Sequence, residues 1–471
     1  MKNFKFCNIL GMSLGFISIC LSACANSYVP DDGGGVEEDE LTRIMNKYND
    51  LNYEDVDEPT EIRMVHWDAN GATIERRVIE SCLKGFNIRY PNITVKLEIM
   101  QSYETTFPTV VASGKNVPDV FLMPDGSFPS WATMNACFNL DPLIESSELV
   151  DMDKMYASSC NRYRYNAKTG MPSNEGTQLA LPKDIGPMAM YYNKKIFDDA
   201  GVDYPSATKQ MTITEATAMW KSLCKQNSKG QYTRYGVSGL GIEGLVWSAG
   251  GDFLNPDRTS FPTETSTING LKKAYQFMQD AYVKDYITPP NSWTVGAKAE
   301  DLFAQQKVAC FIGLKAYVAN FRQLSFDWDI APIPGFEEAP ELNAWSGSVG
   351  YSIYNKSENI EAAWKLVEYI ASKEGQEILS ATGFQIPVYP ELSNDPEFLA
   401  REKESLPHNF EVFLEGAEHQ PAGTWQYRSN NLWKTQGYDA TSEALFHDDP
   451  AKRITVDTFL DEVKNKLKGL L

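Results

Sequence analysis

Catalytic chemistry needs particular residue types at particular spacings, and this chain offers few of them. Its four histidines, His66, His408, His419 and His447, are scattered, and none is spaced to share a metal with another. HExxH, GxxxxGK[ST] and GxSxG are all absent, which argues against a zinc hydrolase, a phosphate-binding loop and a nucleophile elbow. Gly239-Leu240-Gly241-Ile242-Glu243-Gly244 does spell GxGxxG after a strand-like run. A dinucleotide site would also need a clean helix start and an acid at the end of the next strand, and Gly250-Gly251 interrupts that segment. The motif therefore reads as a loop on the rim of a cleft. Acids are plentiful, but nothing in the sequence selects the carboxyl pair that glycoside hydrolysis requires. No cofactor and no metal are expected.

The positive signal is aromatic. The chain holds 10 Trp, 23 Tyr and 23 Phe. Trp67, Trp131, Trp247, Trp293, Trp345 and Trp425 stand in polar or glycine-rich surroundings, whereas Trp220, Trp328 and Trp364 fall on helix or strand patterns. Sugar rings present C–H faces that stack on indole, and their hydroxyls need fixed acceptors such as Asp, Glu and Asn. Tryptophans and acids on loops at the mouth of a cleft meet that need; packing in the core or rim is the competing reading for each.

The elements that would position them follow from hydrophobic period. Ile62–His66 reads as a strand. Ile74, Val78, Ile79, Cys82, Leu83 and Phe86 line one helix face, and Ile93, Val95, Leu97 and Ile99 alternate as a second strand. A helix near 103–113 precedes Val120–Met123, a wholly apolar run suited to a sheet covered on both faces. This β-α-β-α-β order predicts a parallel sheet. Further on, Thr212 and Glu215 make a capping box, Val308–Ile312 is an apolar strand, and Val456, Phe459, Leu460, Val463 and Leu467 mark a last amphipathic helix. Between these halves lies Leu179–Pro205. Leu179–Leu181 is a short apolar run, Lys183, Asp184 and Gly186 are a polar break, and Met188–Tyr192 is a strand feeding a helix stopped by Gly201. A polar crossing with an acid between two strands is what a hinge joining two α/β lobes requires.

The ends carry their own information. Lys2 and Lys5 precede an apolar Ile9–Leu21 stretch of signal-peptide length, and Leu21-Ser22-Ala23-Cys24 matches a lipobox, so residues 1–23 are expected to be removed and Cys24 lipidated. Residues 24–60, with Gly33–Gly35 and Glu37–Glu40, are expected to form a flexible acidic tether holding at most a short helix over 41–48. The formal net charge is −20, which argues against nucleic acid and anionic lipid as partners. Of the 8 cysteines, five lie beyond the lipobox; Cys82, Cys224 and Cys310 sit in apolar patterns, and Cys137 with Cys160 is a possible disulfide.

Several stretches resemble the sugar-binding class of extracellular solute-binding proteins, the capture subunits of ABC importers with a fold like maltose-binding protein. These are Phe86 to Val95, Ala112-Ser113-Gly114 with Pro118-Asp119-Val120, Leu181-Pro182-Lys183-Asp184, Tyr191-Tyr192-Asn193-Lys194, Ala200 to Pro205, Phe326 to Pro334 and Ser372 to Gln376. Three residues separate Gly114 from Pro118, one more than usual, and Gln306 stands where the family has a glycine. The resemblance implies an α/β protein of two discontinuous lobes joined by a multi-crossing hinge, with a helical C-terminus. The first lobe would take residues 61–182 plus 333–382, and the second 183–332 plus 383–471. It also implies a ligand site at Trp67, Asp125, Asp184, Trp247 and Trp345, with the acids accepting sugar hydroxyls and the tryptophans stacking. Where the family often has an aromatic after its Gly-closed strand, Tyr317 is the replacement, and Lys315 is a candidate donor to an acidic sugar. The function implied is not enzymatic: a lipid-anchored monomer on the extracytoplasmic face captures a carbohydrate and hands it to the permease subunits of an ABC transporter. A surface glycoside hydrolase or lyase, and a binding protein serving a sensor kinase, are the alternatives.

Overall fold

The computed structural model describes residues 35–67, 72–290, 297–447 and 449–471. Cys24, the signal stretch and Trp293 lie outside them.

Strands run β1 (Thr60–Trp67), β2 (Ile93–Met100), β3 (Val120–Pro124), β4 (Arg164–Asn166), β5 (Met171–Pro172), β6 (Thr177–Gln178), β7 (Leu181–Pro182), β8 (Met188–Asn193), β9 (Lys225–Gln226), β10 (Tyr232–Ser238), β11 (Val308–Leu314), β12 (Trp328–Ala331) and β13 (Val349–Ile353). They form two five-stranded sheets, β2-β1-β3-β13-β7 and β12-β8-β11-β10-β9, with β5-β4-β6 as a small third. β1 is parallel to β2 and β3, as the alternating helices predict. β13 and β7 then extend that sheet antiparallel, so it is mixed rather than all parallel. Every side chain of β3 and of β13 is buried, because helices cover both faces of this sheet. Each large sheet has its own apolar core. One gathers Ile62, Val65, Phe86, Leu122 and Tyr351, and another Tyr191, Val308, Phe311 and Trp328. The protein is thus an α/β structure of two lobes, closed by helices at its C-terminus, the last being Val456–Leu467.

Three stretches of chain pass between the sheets and pair with one another. Gly186 and Gly347 exchange N–H···O bonds of 2.8 and 2.9 Å, and Ile185 bridges Ile386. In the third stretch Gly383 has φ +69, and a Cβ there would fall 2.8 Å from the Glu402 carboxylate, so both conformation and space call for glycine.

The acidic segment before β1 is not a free tether along its length. Glu38–Lys47 is a helix whose Leu41, Ile44 and Met45 enter the first core, followed by Val56. Those three apolar residues are spaced i, i+3, i+4, and Glu38, Asp39 and Glu40 occupy the first turn, where the helix dipole favours negative charge. Arg89 clamps the segment, donating to the Met45 carbonyl at 2.6 Å and pairing with buried Glu374 at 3.0 Å. Tyr48 adds a 2.8 Å bond to Glu377. Cys137 and Cys160 are both free thiols, so the possible disulfide between them is absent.

Candidate functional site

Trp67 ends β1 and is half-buried. Its indole N–H donates to Glu75 at 2.9 Å, across the turn into helix Ala72–Arg89. The other Glu75 oxygen accepts from Lys183 at 3.2 Å. Lys183 comes from the first crossing and is almost fully enclosed; it also lies 3.0 Å from the Asp184 carboxylate and donates to the side-chain carbonyl of Gln385, in the third crossing, at 3.1 Å. Burial opposes every charge here. For Glu75 burial is the largest single influence, but Lys183, His66 and the Trp67 hydrogen bond together outweigh it and hold the carboxyl below its usual range, while for Lys183 the two carboxylates win and raise the ammonium. His66, buried beside them with Nε2 3.8 Å from Glu75, is instead pushed down by its burial and stays neutral.

A second charged knot lies alongside. Asp125 follows β3 and accepts from Arg162 at 2.6 Å and from the Ser348 amide at 3.1 Å. Burial pushes its carboxyl up to about 6 despite the guanidinium, which still leaves it ionised at neutral pH. Arg162 also donates to the carbonyl and the hydroxyl of Ser346, each at 2.8 Å, and so fastens the second crossing to the first lobe. Asp184 accepts from the Val349 amide at 3.0 Å. Trp67, Asp125 and Asp184 are therefore drawn together: the two acids bind neighbouring amides at the start of β13, and Asp184 reaches Trp67 through Lys183 and Glu75.

The remaining expected residues lie apart from this cluster. Trp247, on helix Ile242–Ser248, is buried, and its N–H donates to the Tyr427 hydroxyl at 2.9 Å. Tyr427 in turn donates to Asp252 at 2.6 Å. Trp345 is half-buried and meets Trp425 edge-on, with ring centres 4.8 Å apart. It lines an apolar recess of about 390 Å³, solvent-open space included, with Met188, Trp220, Leu240, Gly241 and Ile333. The GxGxxG run is part of this wall, and its last residues begin helix Ile242–Ser248. Tyr317 stands apart, stacked on Phe321 with its edge on Phe311. Lys315 is not placed to meet an acidic sugar: it is buried, and its ammonium donates to the carbonyls of Gly383 and Phe384, with burial pushing it down to about 8. Trp131 is core, packed on Tyr103 and Phe107.

Sequence reasoning missed Glu75, Arg162, Gln385 and Tyr427. Each acts through a partner far away in the chain, and no local pattern marks it. Among the described residues no three His, Cys, Asp or Glu side chains cluster to hold a metal, and no helix is long and apolar enough to cross a membrane. The cluster has fixed acceptors, buried cations that hold them, and indoles beside them. That is the equipment for binding a polyhydroxylated solute.

Comparison with known proteins gives the class. The profile of the bacterial extracellular solute-binding proteins matches residues 70–377, more than half of the chain, and the chain belongs to that family. Among curated relatives, an arabinooligosaccharide-binding protein of Halalkalibacterium halodurans is 22% identical over 385 residues, 77% of this chain and 79% of that protein. A galactooligosaccharide-binding protein of Bacillus subtilis is 20% identical over 61% of this chain and 67% of its own length. In fold the chain is similar to an ABC substrate-binding protein of Listeria monocytogenes in complex with cycloalternan, at a TM-score of 0.69 and 19% identity, covering 88% of this chain and 99% of that one. It is equally similar to the sugar-binding protein MalE of Xanthomonas citri, at 0.69 and 17% identity over 87% and 97% of the two chains. It is an extracellular solute-binding protein whose relatives and fold neighbours include oligosaccharide-binding proteins.

Proposed function

We propose that this protein captures an oligosaccharide between its two lobes, binding without turnover, and delivers it to the permease of an ABC importer. Lipid on Cys24 holds it as a monomer at the extracytoplasmic face of the membrane. The lobes divide as 61–182 plus 333–382 and 183–332 plus 383–471. Trp67, Asp125, Asp184, Trp247, Trp345 and Tyr317 supply the ligand site, the tryptophans by stacking and the acids by accepting hydroxyls. The observation that carries this reading is the convergence of Trp67, Asp125 and Asp184 on the crossings. There, a ligand bound to the first lobe would feel the hinge directly. Ligand that binds the closed arrangement more tightly than the open one would then shift the population, and nothing further is required.

Isothermal titration of the chain lacking residues 1–24 against arabino-, galacto- and malto-oligosaccharides tests the reading. The expected outcome is saturable binding of at least one series, with the sugar recovered intact. Cleaved sugar would replace capture with hydrolysis, and a flat response across neutral and acidic glycans would remove carbohydrate as the ligand class.

A further inference from the structure

Besides the crossings themselves, one arginine joins the two sides of the molecule. Arg258 sits in a tight turn whose flanks, Phe253 and Phe261, are buried in an apolar core with Trp247 and Trp433. Its guanidinium Nη1 reaches the Pro172 carbonyl at 3.1 Å, the Gln426 carbonyl at 3.0 Å and the Tyr427 carbonyl at 3.1 Å. Pro172 belongs to the small sheet β5-β4-β6, whose central strand sends Tyr165 into the first core. Gln426 and Tyr427 belong to a C-terminal strap that itself touches both sides: the Gln426 amide donates to the Asp125 carbonyl at 3.0 Å, and the Ser429 hydroxyl to Gly170 at 2.7 Å.

The turn is built to aim this side chain. Arg258 has φ +58, in the left-handed region that non-glycine residues seldom adopt and that tends to be kept where geometry serves function. The Asn255 side chain accepts from the amides of Thr259 at 2.8 Å and Ser260 at 2.9 Å, closing the turn around it. Arg428, in the strap, donates to the Arg258 carbonyl at 2.6 Å and pins the same residue from the other direction. One guanidinium nitrogen is shared among three carbonyls from two separate parts of the chain, and the guanidinium also lies over the Tyr427 ring, 5.2 Å from its centre, a stacked contact an ammonium makes less well.

We propose that Arg258 is an inter-lobe latch: through Pro172 and the 426–429 strap it holds the two lobes together alongside the crossings, and its release sets how readily the cleft opens. This rests on the two-lobed capture reading, but its test uses no sugar, so the two fail separately. Nitroxides are placed through unnatural residues at Lys115, in the first lobe, and Lys229, in the second, both exposed. Pulsed electron resonance then reads the ligand-free inter-lobe distance. Arg258→Asn removes the guanidinium, and asparagine accepts the left-handed backbone. The expected result is a shift of about tenfold or more from the shorter to the longer distance, as the loss of charge-assisted hydrogen bonds implies. Arg258→Lys is expected to fall between the two. Distributions that superpose on the wild type would overturn the latch. Should Arg258→Asn not fold, Ser429→Ala, which removes only the strap's bond to Gly170, must lengthen the distance in the same direction, and a wild-type distribution there overturns it equally.

Discussion

Lys183 is the residue on which most of the site's electrostatics turn. It neutralises two carboxylates that sit beside it out of water, Glu75 and Asp184. Removing one member of a buried charged group leaves its partners uncompensated, so Lys183→Met is predicted to cost about 3–5 kcal/mol at pH 7 in urea unfolding. The deficit should shrink as the pH falls towards 5. Without Lys183, burial dominates over the Trp67 hydrogen bond and His66 and raises the Glu75 folded pKa, and a raised carboxyl favours folding at low pH. A deficit that stays constant from pH 7 to 5 would contradict this account. Lys315 gives the opposite case. Its folded pKa, about 8, is depressed below the ordinary lysine value of 10.5 by burial, so the charged form is disfavoured by folding. Stability attributable to Lys315 should therefore rise by roughly 3 kcal/mol between about pH 8 and 10.5, and on acidification be lost over the same range, with no further change below about pH 8. The comparison with Lys315→Met, which has no such dependence, isolates it.

At the scale of elements, the segment before β1 makes a sharp prediction. Leu41, Ile44, Met45 and Val56 are buried, and each such side chain contributes roughly 1.5–3 kcal/mol when withdrawn from water. Ordering the helix offsets much of that, so a chain beginning at Glu61 should be less stable than one beginning at Val36 by on the order of 2–4 kcal/mol. Equal guanidinium midpoints for the two would make the segment a passive tether after all. The same segment shows what the sequence could yield. Its acidic run dominates the composition, and the short stripe of Leu41, Ile44 and Met45 is legible as a brief helix but not as one buried in the first core. Long periodic elements were legible: the helix from Ile74 to Phe86 and the apolar run Val120–Met123 lie within the observed helix Ala72–Arg89 and strand β3. The antiparallel β13 and β7 at the edge of the first sheet were not, because pairing across roughly 165 residues leaves no local trace. For the same reason Trp67, Asp125 and Asp184 could be named from family resemblance, but Glu75 and Gln385, lying 108 and 202 residues from Lys183, could not.

For the whole molecule, chain order decides how it comes apart. The first sheet is complete only when β13 joins β3 and β7, yet the strands of the second sheet all lie between β7 and β13. If the second lobe unfolded alone, the first would have to hold the ends of a disordered loop of roughly 165 residues. Closing such a loop costs about 4–5 kcal/mol in chain entropy beyond the constant term. The partly unfolded form would also lose the Arg162 bonds to Ser346, the paired glycines 186 and 347, and the strap through Gln426. A form burdened this way is poorly populated, so unfolding should be a single transition despite two lobes and a length at which separate domains often unfold in turn. Calorimetry of the ligand-free protein should give a van't Hoff enthalpy equal to the calorimetric one. Two resolved peaks would mean that each lobe is stable enough alone to outweigh the loop. Arg258→Asn then separates the contributions of hinge and latch. If the crossings alone couple the lobes, the single peak survives the substitution; if the latch shares that work, the peak broadens and the enthalpy ratio falls.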